Sequence, residues 1–421
     1  MEGKDRILYW IWLQNCCGAG SSLPELLLDA FDSDIEKLYN AEDEQYIALS
    51  FIKPALRGKL NNKSLDKAIA IESYCKSEGV GILTPESELY PKRLARISGR
   101  PAVLYYKGDL IDLDREVCIA EVGTRDMTEY GARTAYAMAY DMARAGAVVV
   151  SGLAKGVDGM AHRGALDAGG YTVAVIGSGI DRIYPKEHAD LMGEVIKNGV
   201  VMTEFAPGTP PLGRNFPIRN RIVSGISLGT LVIEAPKKSG ALITAETALK
   251  QGRDVFAIPG KVGEFSSAGS NSLIRDGAKI VTSAVDLLVE YQSVYSEKID
   301  LNRITGAHTR PFEMKTKAAV ERRYSEDEAP KEVSEKKPAQ KKKEKAEAPK
   351  EEERPPFVMP EGIDGLKAQV LTLISESGEM PSDVIAHKLG APITDVLVEL
   401  TMLEIEGYIT CNPGGTYILN A

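Results

Sequence analysis

The chain has 421 residues, 43% hydrophobic and 26% charged, and a net charge of −9. At ~100 to 200 residues per domain this length calls for several domains, and a composition near the globular average excludes collagen-like, mucin-like and wholly disordered chains. No stretch reaches the ~18 to 20 consecutive apolar residues of a membrane helix, so a soluble protein with no membrane partner is expected.

Lys4, Arg6 and then Ile7 to Leu13 have the look of a short signal segment. No small-residue cleavage site follows, however, and Asp5 interrupts the basic end, so the stretch reads as a buried first helix. It leads into Gly18-Ala19-Gly20, and Leu23-Pro24 opens a second helix through Phe31. The glycines of such a hairpin either let backbone amides approach a ligand or simply close a helical bundle; both readings stay open. Residues 1–75 are expected to be a helical domain. The five cysteines, Cys16, Cys17, Cys75, Cys118 and Cys411, have no C-x-x-C spacing and mostly sit in apolar runs, as reduced core residues of a cytoplasmic protein would.

Residues 76–295 are expected to be the second domain, and between Val117 and Val289 the pattern alternates between short β-branched runs, Gly-rich turns and helical spacing. The runs are Val117–Val122, Val148–Ser151, Thr172–Ile176, Val200–Thr203, Thr230–Ile233, Val255–Ile258 and Lys279–Val281. This is the pattern of an α/β fold with a doubly wound parallel sheet, whose ligands bind beyond the carboxyl ends of the strands. Residues 296–358 are expected to be a linker. Within it, Glu326–Arg354 has ten acids, nine bases and no aromatic residue, and cannot bury enough apolar area to offset ordering entropy. Residues 359–421 predict three helices, Gly365–Glu376, Pro381–Leu389 and Pro392–Glu406, followed by a hairpin around Asn412-Pro413-Gly414-Gly415. That combination suggests a winged helix.

The acidity is local. Residues 361–421 carry nine acids against two bases, whereas residues 1–325 are close to neutral. The expected recognition helix, from Ile393, contains Asp395, Glu399, Glu404 and Glu406 and no Lys or Arg, a face that repels duplex DNA. The tail therefore reads as a protein-contact or regulatory module.

Four turns at strand ends could carry chemistry. Gly123-Thr124-Arg125 can offer amides and a guanidinium to a phosphate. The others are Ser151-Gly152 through Lys155-Gly156 to Asp158, Gly177-Ser178-Gly179, and Ser239-Gly240 before a helix. Each alone is weak, since such turns need glycine anyway; four in register favour an anion-lined crevice. The segment Gly213 to Arg221 adds Arg214, Asn215, Arg219, Asn220 and Arg221 around Phe216. It suits phosphates with a base stacked beside them, or else its arginines pair with acids at the surface. Position 182 is Arg where a dinucleotide fingerprint has glycine, and no G-x-x-x-x-G-K-[ST] is present, so neither nicotinamide nor P-loop ATP chemistry is expected. His162 reads as a hydrogen-bonding rather than a catalytic histidine. The four histidines have no ligand spacing, so neither metal nor other cofactor is predicted.

Taken together, VGTR at 122–125, SGLAKGVDGMAHRGAL at 151–166, FPIRNRIVSG at 216–225, EAPKKSGALITAETAL at 234–249 and FAIPG at 256–260 resemble the DprA (Smf) family. The resemblance implies a helix-hairpin-helix or SAM-like start, an extended Rossmann-like fold and a winged-helix end. It implies a binding protein rather than an enzyme: one that holds single-stranded DNA, loads the RecA recombinase onto it in natural transformation, and works as a homodimer. Carried onto matching positions, it assigns DNA contacts to Arg125, Lys155, the Gly177–Gly179 turn, Arg219 and Arg221. Asn220, Ser239 and Gly240 would shape the pocket, and Lys261 is a weaker candidate. The long Lys/Glu tether departs from the family's short linkers. The alternative is a nucleotide-binding or nucleotide-hydrolysing Rossmann-like enzyme of the phosphoribohydrolase type, with Asp158 or Glu246 as acid–base groups.

Overall fold

The computed structural model describes residues 2–304, 306, 364–406, 408–411 and 416–420. The chain divides into two compact units, Met1–Pro330 and Lys331–Ala421. In the first, one sheet holds nine strands: β1 (Gly81–Leu83), β2 (Leu104–Gly108), β3 (Cys118–Val122), β4 (Val148–Ser151), β5 (Thr172–Val175), β6 (Gly199–Thr203), β7 (Gly229–Val232), β8 (Asp254–Ala257) and β9 (Lys279–Ile280). Their spatial order is β1-β2-β6-β5-β4-β3-β7-β8-β9. The seven parallel strands β3 to β9 match the expected runs to within one residue. Every residue of β3 to β7 is buried, as strands covered by helices on both faces must be.

β1 and β2 were not anticipated. They add antiparallel to the β6 edge, and the Tyr106 ring lies where a side chain on Gly81 would stand. Chain order reverses at β3, which has β4 on one side and β7 on the other. The turns after these strands therefore splay apart and leave a crevice.

Six helices between Glu2 and Ser77 form the N-terminal layer. Their core of Trp10, Ile11, Leu13, Leu27, Leu38 and Tyr46 runs on into Ile176, Leu191 and Val201 of the sheet unit. The expected boundary at residue 75 thus cuts through one continuous core. The Gly18-Ala19-Gly20 turn, with both glycines at positive φ, docks on that unit: the Gly20 amide donates to the Glu204 carboxylate at 3.1 and 3.2 Å. Its amide is committed to a carboxylate, which closes the ligand-approach reading for Gly20.

The linker does not begin at 296. Ile299 is buried in the core on the far face of the sheet, the Asp300 amide donates to Ala145 O at 3.0 Å, and Lys298 pairs with Glu116 at 2.5 Å. The tether Glu326–Arg354 and the turn Asn412–Gly415 lie outside the described residues.

The second unit has helices Gly365–Ser377, Ser382–Leu389 and Ile393–Ile405 around Val370, Ile374, Ile385, Val396, Leu400 and Leu403. Strands β10 (Met380–Pro381), β11 (Ile409–Cys411) and β12 (Thr416–Leu419) form an antiparallel sheet in the order β10-β12-β11, the expected winged helix with one added short strand.

Candidate nucleic-acid interface

Chain reversal at β3 leaves an open crevice of about 560 Å³. One wall is the turn after β3. Gly123 is required there, since a Cβ would lie 2.5 Å from Val157 and 3.0 Å from Glu234 O. The Thr124 amide donates to Glu234 O at 2.8 Å and its hydroxyl accepts from the Asp126 amide at 3.2 Å, which fixes the turn and projects Arg125 into solvent. The Arg125 guanidinium lies 5.1 Å above the Phe216 ring, and Phe216 stands 5.4 Å from Tyr184. A cation over one of two neighbouring rings at a crevice mouth offers a phosphate contact and base-stacking faces together.

The opposite wall is the start of the helix Gly240–Lys250. Ser239 caps it, its Oγ accepting from the Ala241 amide at 3.2 Å, so the positive end of an eleven-residue helix faces the crevice. Exposed Lys238 adds a cation on the same lip, and Asn220 Nδ2 reaches Gly240 O at 3.4 Å.

The segment from Gly213 to Arg221, read as a loop, is mostly helix: Asn215–Ile226, with Pro217 in the first turn where no intrahelical N–H is needed. The helix separates the two arginines. Arg219 points under the crevice, only 3% exposed, and donates to Val175 O. Burial lowers its pKa to about 10, against the pull of Asp158. Arg221 points the other way, into a buried ion pair with Glu204 at 2.7 Å, where it does not line the crevice. Glu204 also accepts from Gln14 at 3.4 Å, so Arg221 fastens the helical layer.

The remaining expected residues divide into lining and scaffold. Gly123, Thr124, Arg125, Arg219, Asn220, Ser239 and Gly240 line the crevice. Ser151 is buried, its hydroxyl on Glu121 O at 2.6 Å. Gly152 makes room for the Arg219 guanidinium, and Gly156, at φ +80°, clears Thr124 O. Lys155 pairs with Glu187. The Phe216 ring rests on Gly177; the Ser178 hydroxyl donates to Arg182 O at 2.7 Å, and the Gly179 amide to Thr209 O at 2.9 Å. Asn215, 4% exposed, bonds Gly177 O and Pro210 O. Lys261 lines a separate cavity. Tyr184 and Lys238 were missed; an exposed tyrosine in the loop after β5 and the second lysine of KKSG were the available signals.

Of the acid–base candidates, Asp158 lines the crevice and accepts from the Gly152 and Ala154 amides at 3.2 and 3.4 Å, and burial lifts its carboxyl above the usual range. Glu246 is exposed and does not line the crevice. His162 is fully buried. Thr172 Oγ1 gives its proton to Val149 O, so His162 Nδ1–H donates to that hydroxyl at 2.8 Å; burial holds the ring neutral, with a pKa near 3.

Fold and site together define an extended Rossmann-like protein with a cation-and-aromatic crevice at its switch point and an appended winged-helix module. The chain belongs to the DNA recombination-mediator protein A family, whose match spans residues 81–292, and a DprA winged helix domain matches residues 344–415. It is 34% identical over 335 residues to protein Smf of Escherichia coli, covering 79% of this chain and 76% of that one. It is 37% identical over 267 residues to the DNA processing protein DprA of Bacillus subtilis, covering 63% and 90%. The crystal structure of DNA processing protein A from Streptococcus pneumoniae superposes with a TM-score of 0.60 at 36% identity, over 67% of this chain and 97% of that chain. Among the described residues no helix is long and apolar enough to cross a membrane.

Proposed function

We propose that the crevice holds single-stranded DNA and that the chain acts as a cytoplasmic recombination mediator, a homodimer that delivers the strand to a RecA-type recombinase in natural transformation. One observation carries the reading: Arg125 stacked on Phe216 beside Tyr184, opposite the helix start at Ser239-Gly240. A single strand supplies both partners this arrangement asks for, a phosphate and an unstacked base, whereas the bases of a duplex are stacked and turned inward. Family membership supports the mediator role. The crevice offers mostly binding groups: of the acid–base candidates Glu246 stands outside it, and Asp158, which lines it, is engaged by the Gly152 and Ala154 amides. The chain is therefore read as a binding protein and not an enzyme.

Arg125→Ala and Phe216→Ala test this by fluorescence anisotropy on labelled oligo-dT. Each is expected to weaken binding about tenfold, and Arg125→Ala is expected to lower the salt slope by about 0.7. Wild-type affinity in both variants would overturn the assignment.

A further inference from the structure

We propose that a second cavity, beside the crevice, is a base pocket that selects nucleotides bearing an exocyclic amine; this rests on the single-strand reading above. The cavity, about 670 Å³, opens between the start of the helix Glu129–Arg144 and the turn after β8, and shares a wall with the crevice. The wall is the Thr124 amide bonded to Glu234 O. Residues 122–126 and 236 face the crevice, and residues 128–130 and 234 face the cavity. A strand leaving the crevice over Asp126 reaches the second cavity within two residues of chain, at most about 7 Å.

Its walls are held in place from several sides. The Asn271 side chain bonds Gly260 twice, Oδ1 accepting from its amide at 3.0 Å and Nδ2 donating to its carbonyl at 3.1 Å. The Tyr130 hydroxyl donates to Pro259 O at 3.1 Å, which pins a ring that is still 51% exposed. The Glu234 carboxylate accepts from the Thr128 amide and hydroxyl at 2.9 and 3.0 Å. An exposed aromatic face on a fixed frame loses little freedom when a base stacks on it.

Charge decides which part of a nucleotide enters. Glu234, Glu129 and Glu264 face one cation, Lys261, and Glu129 is further tied to Arg133. A phosphate is repelled by this set. A base is not: its π-face meets Tyr130 while exposed Glu264, a pure acceptor, takes a proton from an exocyclic amine. Cytosine, adenine and guanine have that amine and thymine does not. The crevice with its cations takes the backbone and the second cavity takes the neighbouring base, a selectivity that phosphate contacts alone cannot give.

The test uses the full chain and labelled 20-mers of dT with a single dC walked along the strand, read by anisotropy. At one position the dC is expected to tighten binding about fivefold or more. Glu264→Ala is expected to erase that gain, and Tyr130→Ala to weaken the dC oligomer about tenfold. If dT is bound and lost in Arg125→Ala, but dC matches dT at every position or its gain survives in Glu264→Ala, this inference alone fails. If the wild type binds no dT at all, the crevice reading fails and takes the inference with it.

Discussion

Gly152→Ala isolates the packing that carries the crevice floor. Gly152 is at the end of β4, and its φ lies outside the left-handed region, so alanine is free of backbone strain and the cost is steric. A Cβ there would be 1.9 Å from Arg219 Nη1 and 2.4 Å from Cζ, where ordinary contact begins near 3.4 Å. The guanidinium must retreat by the difference between 1.9 and 3.4 Å, and cannot do so while bonded to Val175 O. Losing a hydrogen bond to a charged donor costs about 1.5–3 kcal/mol, and overpacking adds about 1–3. With partial relaxation a destabilisation of about 3 kcal/mol is expected, a fall of about 5 °C in Tm for a unit of roughly 300 residues. Calorimetry on wild type, Gly152→Ala, Arg219→Ala and the double variant measures it. Because the clash is with Arg219, Gly152→Ala should cost almost nothing once Arg219 is alanine. A Tm within about 1 °C of wild type, or additive effects in the double variant, would show that Arg219 does not meet a side chain at position 152.

Three further outcomes are expected. Arg221→Ala leaves the Glu204 carboxylate, 2% exposed, without its cation, at a cost of about 3–5 kcal/mol; adding Glu204→Ala should recover part of it, while the salt slope of strand binding stays at the wild-type value. Glu121, fully buried with neither carboxylate oxygen partnered, has its pKa raised by burial and then by Asp158. Its neutral form is the folded one, so its favourable share of stability is complete below the unfolded value near 4.5 and is lost as pH rises through the folded value; Tm of Glu121→Gln should gain on wild type between pH 4.5 and 8, and a constant gap would contradict this. Deleting residues 361–421 should leave duplex affinity within about twofold, because the third helix of that unit carries Asp395, Glu399 and Glu404 beside exposed Leu397, Val398 and Met402; a tenfold loss measured by gel shift would show a duplex-binding tail.

The parallel sheet was legible because strands buried on both faces must be continuous apolar runs, and VVVS at 148–151 or TVAV at 172–175 have no other reading at that length. β1 and β2 were not, because GIL is three residues long and LYYKG is half-buried and polar at its end, so neither run stands out from a loop. At the site, the error lay in reading FPIRNR as a loop with all its cations facing one way. On a helix, positions two apart do not share a face. Phe216, Arg219 and Asn220, at i, i+3 and i+4, line the crevice, and Arg221 falls opposite. That spacing was in the sequence. The partner that claims Arg221 was not, since Glu204 comes from the bend after β6 and Gly20 from a hairpin far along the chain, and only the fold brings them together.

The crevice claim is tested most directly by anisotropy across a series from dTMP to 30-mer oligo-dT at several salt concentrations. A strand site predicts negligible affinity for the mononucleotide, affinity that climbs with each added phosphate until the crevice is spanned, and a negative salt slope that grows in step, by about 0.7 per phosphate contacted. Saturation by dTMP, with no gain from longer strands, would contradict the account and define a mononucleotide pocket instead.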